Sequence, residues 1–198
     1  MKVTWDCQTC TISLLQEPYI NSILAKYNFV DMKPVAIPLN PHIQLLEKQF
    51  PKSMSKIACM HNIPYRQAVG SLIYLATGAW LDITFATSFV FQFNANPSLE
   101  HWEAVKQIYQ YLIGMKSLML TFRTQMRGLI GYVDTDGATQ EHWCAITRFA
   151  FFVDVEVILW GLKKQEFVML STAESEYIAA THAINEALWL WWLIGKMF

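Results

Sequence analysis

The chain has 198 residues, of which 54% are apolar and 16% charged, and its formal net charge is −1. Soluble domains average about 25% charged residues, so this composition excludes a disordered acidic or basic tail and gives no overall basic signal for nucleic acid. The 8 Trp and 12 Phe residues exceed what one small core needs, which predicts exposed apolar surface open to self-association.

The sequence also indicates the cellular environment that we expect for the chain. Its longest apolar run, residues 187–194, is far shorter than the ~20 residues that cross a bilayer, so we expect no membrane partner. The N-terminus lacks the apolar segment of a signal peptide, which predicts an intracellular chain with reduced cysteines. Cys7 and Cys10 lack a second ligand pair at zinc-site spacing, so we expect no cysteine function.

The N-terminal half is predicted to be largely helical after a first hairpin. Residues 3–14 alternate loosely around a polar turn and predict that hairpin. Apolar periodicity predicts helices over 18–29, 65–76, 83–93 and from Ser98, as N-cap, to Gly114, as stop. Five prolines between 30 and 64 predict an extended linker there.

The C-terminal half changes to short runs rich in β-branched and aromatic residues. These runs predict strands over 118–123, 128–134, 146–153, 156–160 and 167–171, the last three forming an antiparallel meander with 128–134. One long helix is predicted over 173–196. The fold class is therefore predicted to be α+β.

Two glutamates at the start of that last helix have different interpretations. Ser171 and Glu174 match a capping box, so Glu174 is interpreted as a helix cap. Glu176 shares a helical stripe with three alanines that would let the helix pack closely on a sheet: Ala180, Ala183 and Ala187. A carboxylate on a packed stripe is unfavourable unless it pairs or binds a cation, so both a structural and a functional role stay open.

Asp134 ends a predicted strand, and Asp136 follows two residues later. Acidic residues at a strand end are often simple turn formers. A strand ending in Asp, then further strands, then a helix opening with Glu can also bring Asp134 and Glu176 together. Such oxygen ligands suit Mg²⁺ or Mn²⁺, and two ions about 4 Å apart can activate water and stabilise the leaving oxygen in phosphodiester cleavage.

Several segments of the C-terminal half carry a family resemblance. They read GYVDTDG at 131–137, ILW at 158–160 with KKQ at 163–165, LSTAESEYIAA at 170–180 and EALWL at 186–190. This text resembles the start of the ribonuclease H domain in copia-type retrotransposon Pol polyproteins. Upstream text resembles the same polyproteins between polymerase and nuclease: QEPYI at 16–20, KPV at 33–35, PYRQAVGSLIY at 64–74, and NP at 96–97 with HWEAVK at 101–106.

The resemblance implies an organisation and a site. Residues 1–116 would be the reverse transcriptase C-terminal or connection region, and 117–198 the first half of a ribonuclease H-like domain. Asp134 and Glu176 would be the first two catalytic carboxylates and would hold Mg²⁺ or Mn²⁺. Lys106, Lys163 and Lys164 lie where a basic surface could meet an RNA–DNA hybrid, and the alternative interpretation, a solvated face, is favoured for them.

The chain also departs from the family. The family's third catalytic Asp and a fourth acid would follow this helix, beyond Phe198. The polymerase motif is absent, because Thr135 separates Asp134 from Asp136. We therefore expect no polymerase activity and no retained nuclease activity. The alternatives are a ribonuclease H completed by a partner chain and a nucleic-acid-binding module without chemistry.

Overall fold

The computed structural model describes residues 1–43, 45–51, 53–123, 128–136, 145–153, 155–166 and 171–197. They divide into two compact units, Met1–Phe122 and Arg123–Phe198. Helices and antiparallel strands are both present, so the predicted α+β class is confirmed. No helix in these described ranges combines the length and the apolarity that a bilayer crossing requires.

The first unit begins with the predicted hairpin. Strand β1, Lys2–Asp6, pairs antiparallel with β2, Thr11–Leu15, and the sheet order places β3, Leu120–Arg123, beside β2. In the turn, the Asp6 carboxylate accepts hydrogen bonds from the Thr9 hydroxyl at 2.8 Å and the Gln8 N–H at 2.9 Å. These bonds, led by that from Thr9, lower the pKa of Asp6. The boundary between the two units follows Phe122, near the end of β3, and the predicted domain boundary after residue 116 stays a prediction.

Five helices follow in the first unit. They are α1 Glu17–Lys26, α2 Met54–His61, α3 Tyr65–Gly78, α4 Thr84–Phe91 and α5 Leu99–Met115, with short 3-10 turns at Glu47–Gln49 and Leu81–Ile83. The prediction of a linker throughout 30–64 is wrong over α2, a short helix in which only Met60 is buried. The predicted stop at Gly114 is also wrong, since α5 continues to Met115.

The core of the first unit lies among its helices. Its fully buried aliphatic residues come from α1, α3, α4, α5 and the turn at Leu81–Ile83, and include Ile20, Leu72, Leu75, Ile108 and Leu112. Two buried tyrosines form hydrogen bonds to the backbone of other helices. The Tyr65 hydroxyl donates to the Val90 carbonyl at 2.7 Å, and the Tyr109 hydroxyl donates to the Ala68 carbonyl at 3.0 Å. Burial raises the pKa of both phenols, which therefore stay neutral donors.

A buried histidine takes part in the N-terminal cap of α5. The Ser98 hydroxyl accepts from the His101 N–H at 3.5 Å, and His101 Nδ1 accepts from the Ser98 N–H at 2.9 Å. This confirms the predicted N-cap at Ser98. The imidazole has no exposed surface and stacks on Phe93 with 4.0 Å between ring centroids. Burial lowers the pKa of His101 to about 4.

The second unit is a sheet with one long helix against it. Strands β4 Leu129–Asp136, β5 Ile146–Val153 and β6 Glu156–Lys164 run antiparallel in the order β4-β5-β6. Helix α6, Thr172–Met197, packs on them through a small core of Phe151, Ala183 and Leu190. The remaining predicted strand, 167–171, falls largely on 167–170, which lie outside the described residues.

Gly131 offers a direct test of this packing. It lies across from Phe151, and a Cβ placed there would meet the Phe151 ring at 2.5 Å. Gly131→Ala is therefore expected to destabilise the second unit by about 1–3 kcal/mol through overpacking, measured by urea unfolding followed by circular dichroism.

The matched control is Gly70→Ala in α3, where an added Cβ meets no atom within 4 Å. Removing a glycine from a helix interior should stabilise the chain by about 0.5–1 kcal/mol. Equal effects of the two substitutions would contradict the close Gly131–Phe151 contact.

Candidate functional site: the carboxylates of β4 and α6

Asp134 lies near the end of β4 and is held by a cation from the neighbouring strand. The register pairs it with Arg148 of β5, and Arg148 Nη1 lies 3.4 Å from Asp134 Oδ2. The carboxylate remains 71% exposed and the Arg148 side chain 36%. This cross-strand ion pair offsets part of the charge of Asp134, and its exposure keeps its contribution to stability below about 1 kcal/mol.

The face that carries this ion pair is set by strand alternation. Thr147, next to Arg148, is buried and accepts a hydrogen bond at 2.9 Å from Gln165 Nε2. The same Gln165 amide donates at 3.0 Å to the Ser175 carbonyl of α6, so Thr147 faces the helix. Because successive side chains alternate between faces, Arg148 and Asp134 lie on the face away from α6.

Glu176 is exposed on the first turns of α6. The residues that α6 buries are Ser175, Ala179, Ala183 and Leu190. The prediction that Glu176 begins the packed stripe of α6 is therefore wrong. Ser175 and Ala179, each one residue earlier than predicted, occupy the buried positions there. Because the Glu176 carboxylate stays in water, it needs no bound cation to offset a cost of burial.

Asp134 and the helix that carries Glu176 lie on opposite sides of the sheet. Within the described ranges, no three His, Cys, Asp or Glu residues come close enough to hold a metal ion together. A pair of carboxylates is smaller than such a group, so binding of Mg²⁺ or Mn²⁺ by Asp134 and Glu176 stays a prediction.

The predicted nucleic-acid contacts lie in different units. Lys106 of α5 has its Nζ 2.5 Å from Glu103 Oε1, one turn earlier. Lys163, near the end of β6, lines a cavity of about 340 Å³ together with Gln165 and His182, and Lys164 is exposed beside it. Contact of these lysines with a nucleic acid stays a prediction.

Two structural residues of the site were missed in the sequence. Arg148 neutralises Asp134, and Gln165 joins β6 to both β5 and α6. Gln165 appeared only within a matched motif, with no signal of its burial. The pairing of Arg148 with Asp134 can be predicted only if the register between β4 and β5 is known. The connection between these strands is longer than the short hairpin turns whose type fixes a register.

Curated relatives identify the chain. It is 38% identical over 191 residues, or 96% of its length, to the retrovirus-related Pol polyprotein from transposon TNT 1-94 of Nicotiana tabacum. The chain belongs to the family of retrotransposon Pol-related proteins. The Pol-related chain is also 29% identical over 94% of its length to the Pol polyprotein from transposon RE1 of Arabidopsis thaliana.

The Pol-related chain spans only 14% and 12% of the lengths of these two polyproteins. A further relative is the secreted RxLR effector protein 161 of Plasmopara viticola, 35% identical over 133 residues that make up 66% of this chain and 94% of that protein. No family model and no solved structure matches the chain.

Proposed function

We propose that the chain combines a connection region of a copia-type reverse transcriptase with a ribonuclease H-like unit that does not cleave RNA–DNA hybrids. The relationship to Pol polyproteins supports the Pol origin. The motifs GYVDTDG at 131–137 and LSTAESEY at 170–177 support the finer assignment to ribonuclease H.

One observation carries the proposed loss of cleavage: Asp134 pairs with Arg148 on the face of the sheet away from α6. Two-metal cleavage requires carboxylates that converge on ions about 4 Å apart. Asp134 lies on the face of the sheet away from α6, and Glu176 is exposed on α6, so we expect the two carboxylates not to converge on one ion. A nuclease completed by a partner chain would still need Asp134 to reach the helix side.

Binding of a hybrid without chemistry is the weaker alternative. A protein that holds nucleic acid through phosphates needs several unpaired cations on one surface. Here the formal net charge is −1, and Lys106 already lies against Glu103. We therefore expect only weak hybrid binding that disappears as salt is raised.

The test uses the purified full chain, a labelled RNA–DNA hybrid, and Mg²⁺ or Mn²⁺. The expected result is no cleavage above a metal-free control, while an active ribonuclease H added to the same mixture cuts the substrate. Metal-dependent cleavage that disappears in Asp134→Asn but persists in Asp31→Asn would overturn the proposal. Asp31 is a suitable control because it lies on an exposed loop of the first unit.

A further inference from the structure

The outer side of α6 carries an apolar seam with coiled-coil spacing. Along the helix, exposed residues recur at alternating intervals of four and three: Tyr177, Thr181, Ile184, Leu188, Trp191 and Gly195. We call these six residues the outer seam. Its four large members are between 55% and 78% exposed. A repeat of 3.5 residues keeps one stripe facing a partner helix along its length.

The outer seam is distinct from the buried side of the same helix. Ala179, Ala183 and Leu190 face the sheet, and at 100° per residue their stripe lies well over a quarter turn from the seam. Packing among the described residues of this unit therefore leaves the seam uncovered. An exposed apolar stripe of this length is typical of a protein interaction site.

We propose that two copies of this chain associate through the outer seam, with their α6 helices antiparallel. The sizes along the seam are complementary in that arrangement. With Ile184 packed against Leu188 of the second copy, Tyr177 faces Gly195 and Thr181 faces Trp191. Each large side chain then meets a small one or one of equal size. A parallel pair would instead place Trp191 against Trp191 and Gly195 against Gly195.

Charge also favours a second copy in this orientation. Between Tyr177 and Gly195, the positions directly flanking the seam carry no charge: Ile178, Ala180, Asn185, Ala187, Trp192 and Ile194. Like copies therefore do not repel along the contact. Antiparallel pairing also brings the helix start, with Glu174, beside the partner's helix end, with Lys196, so that opposite charges and opposite helix dipoles meet.

The exposed area approaches what a dimer needs. Large aromatic side chains bury about 150–250 Å² each, so the seam and Trp192 together offer on the order of 600 Å². Specific interfaces bury about 800 Å² from each partner. The seam runs from Tyr177 to Gly195, which at 1.5 Å per residue gives a contact line about 27 Å long. The seam therefore fits a moderate-affinity dimer of this chain.

The first test measures the mass of the full chain by light scattering during gel filtration. At about 50 µM chain the wild type is expected to elute with twice its monomer mass, and Leu188→Glu is expected to weaken dimerisation at least tenfold. Met54→Glu is the matched control, because Met54 is an 82% exposed apolar residue on α2. Circular dichroism confirms that each variant is folded. A monomeric wild type, or a dimer that Leu188→Glu leaves intact, would overturn the proposal.

The second test fixes the orientation. Ile184→Lys and Leu188→Glu are each expected to be monomeric alone, and an equimolar mixture is expected to restore the dimer. In the antiparallel pair the new lysine faces the new glutamate, and the second layer keeps its wild-type Leu188–Ile184 contact. In a parallel pair neither new charge meets the other, so a mixture that stays monomeric would overturn the antiparallel arrangement.

Discussion

Phe151→Ala is expected to unfold the second unit at room temperature. Phe151 is 3% exposed and packs in the same cluster as Ala183 and Leu190 of α6. Truncating a buried phenylalanine costs about 3–5 kcal/mol through lost burial and the cavity left behind. Because the described core of this unit is small, we expect few other contacts to hold α6 on the sheet. Hydrogen exchange should then show loss of protection in β4, β5 and β6.

Phe91→Ala is the matched control for this substitution. Phe91 ends α4 and is 49% exposed, so its truncation should change the free energy of unfolding by less than about 1 kcal/mol. Undiminished protection of β5 in Phe151→Ala would show that the cluster around Phe151 does not hold the second unit together.

Acid is expected to destabilise the first unit through His101 well above the pH at which carboxylates protonate. The pKa of His101 is about 4 in the folded chain, below its ordinary value of 6.5, because the ring is buried. Between these values the unfolded chain binds the proton and the folded chain does not. The contribution of neutral His101 to the free energy of unfolding is therefore complete above pH 6.5 and is lost as the pH falls toward 4.

Between pH 7 and pH 5 this linkage should lower the free energy of unfolding by about 2 kcal/mol. Urea unfolding at the two pH values measures the change. The control is His101→Gln, which should be less stable at both values but should lose most of the difference between them. A wild-type free energy of unfolding that is the same at pH 5 and pH 7 would contradict a buried neutral His101.

Local signals in the sequence predicted the local parts of this fold. The turn at Asp6, the N-cap at Ser98 and the strand over Ile146–Val153 each depend on neighbours a few residues away, and each is confirmed. Helix α2 was missed because it is only eight residues long and lies between Pro51 and Pro64, which were interpreted as signs of an extended segment.

The site depended on information that the sequence does not carry locally. The face of the sheet that Asp134 occupies is known from two contacts. Asp134 pairs with Arg148, and Gln165 donates hydrogen bonds to both Thr147 and α6. A one-residue change of register would reverse that face. The phase of α6 was similarly ambiguous, since alanines at both 179 and 180 allow two packed stripes, and the tertiary contacts select Ala179.

Manganese titration of the ¹⁵N-labelled chain by nuclear magnetic resonance tests the central claim most directly, because paramagnetic Mn²⁺ broadens the signals of the residues nearest to it. With Asp134 paired to Arg148 away from α6, substoichiometric Mn²⁺ should leave the amides of Asp134 and Glu176 no broader than other exposed acidic positions, such as Asp31. Selective broadening of Asp134 and Glu176 together, abolished by Asp134→Asn, would show that the two carboxylates share an ion and would contradict this account.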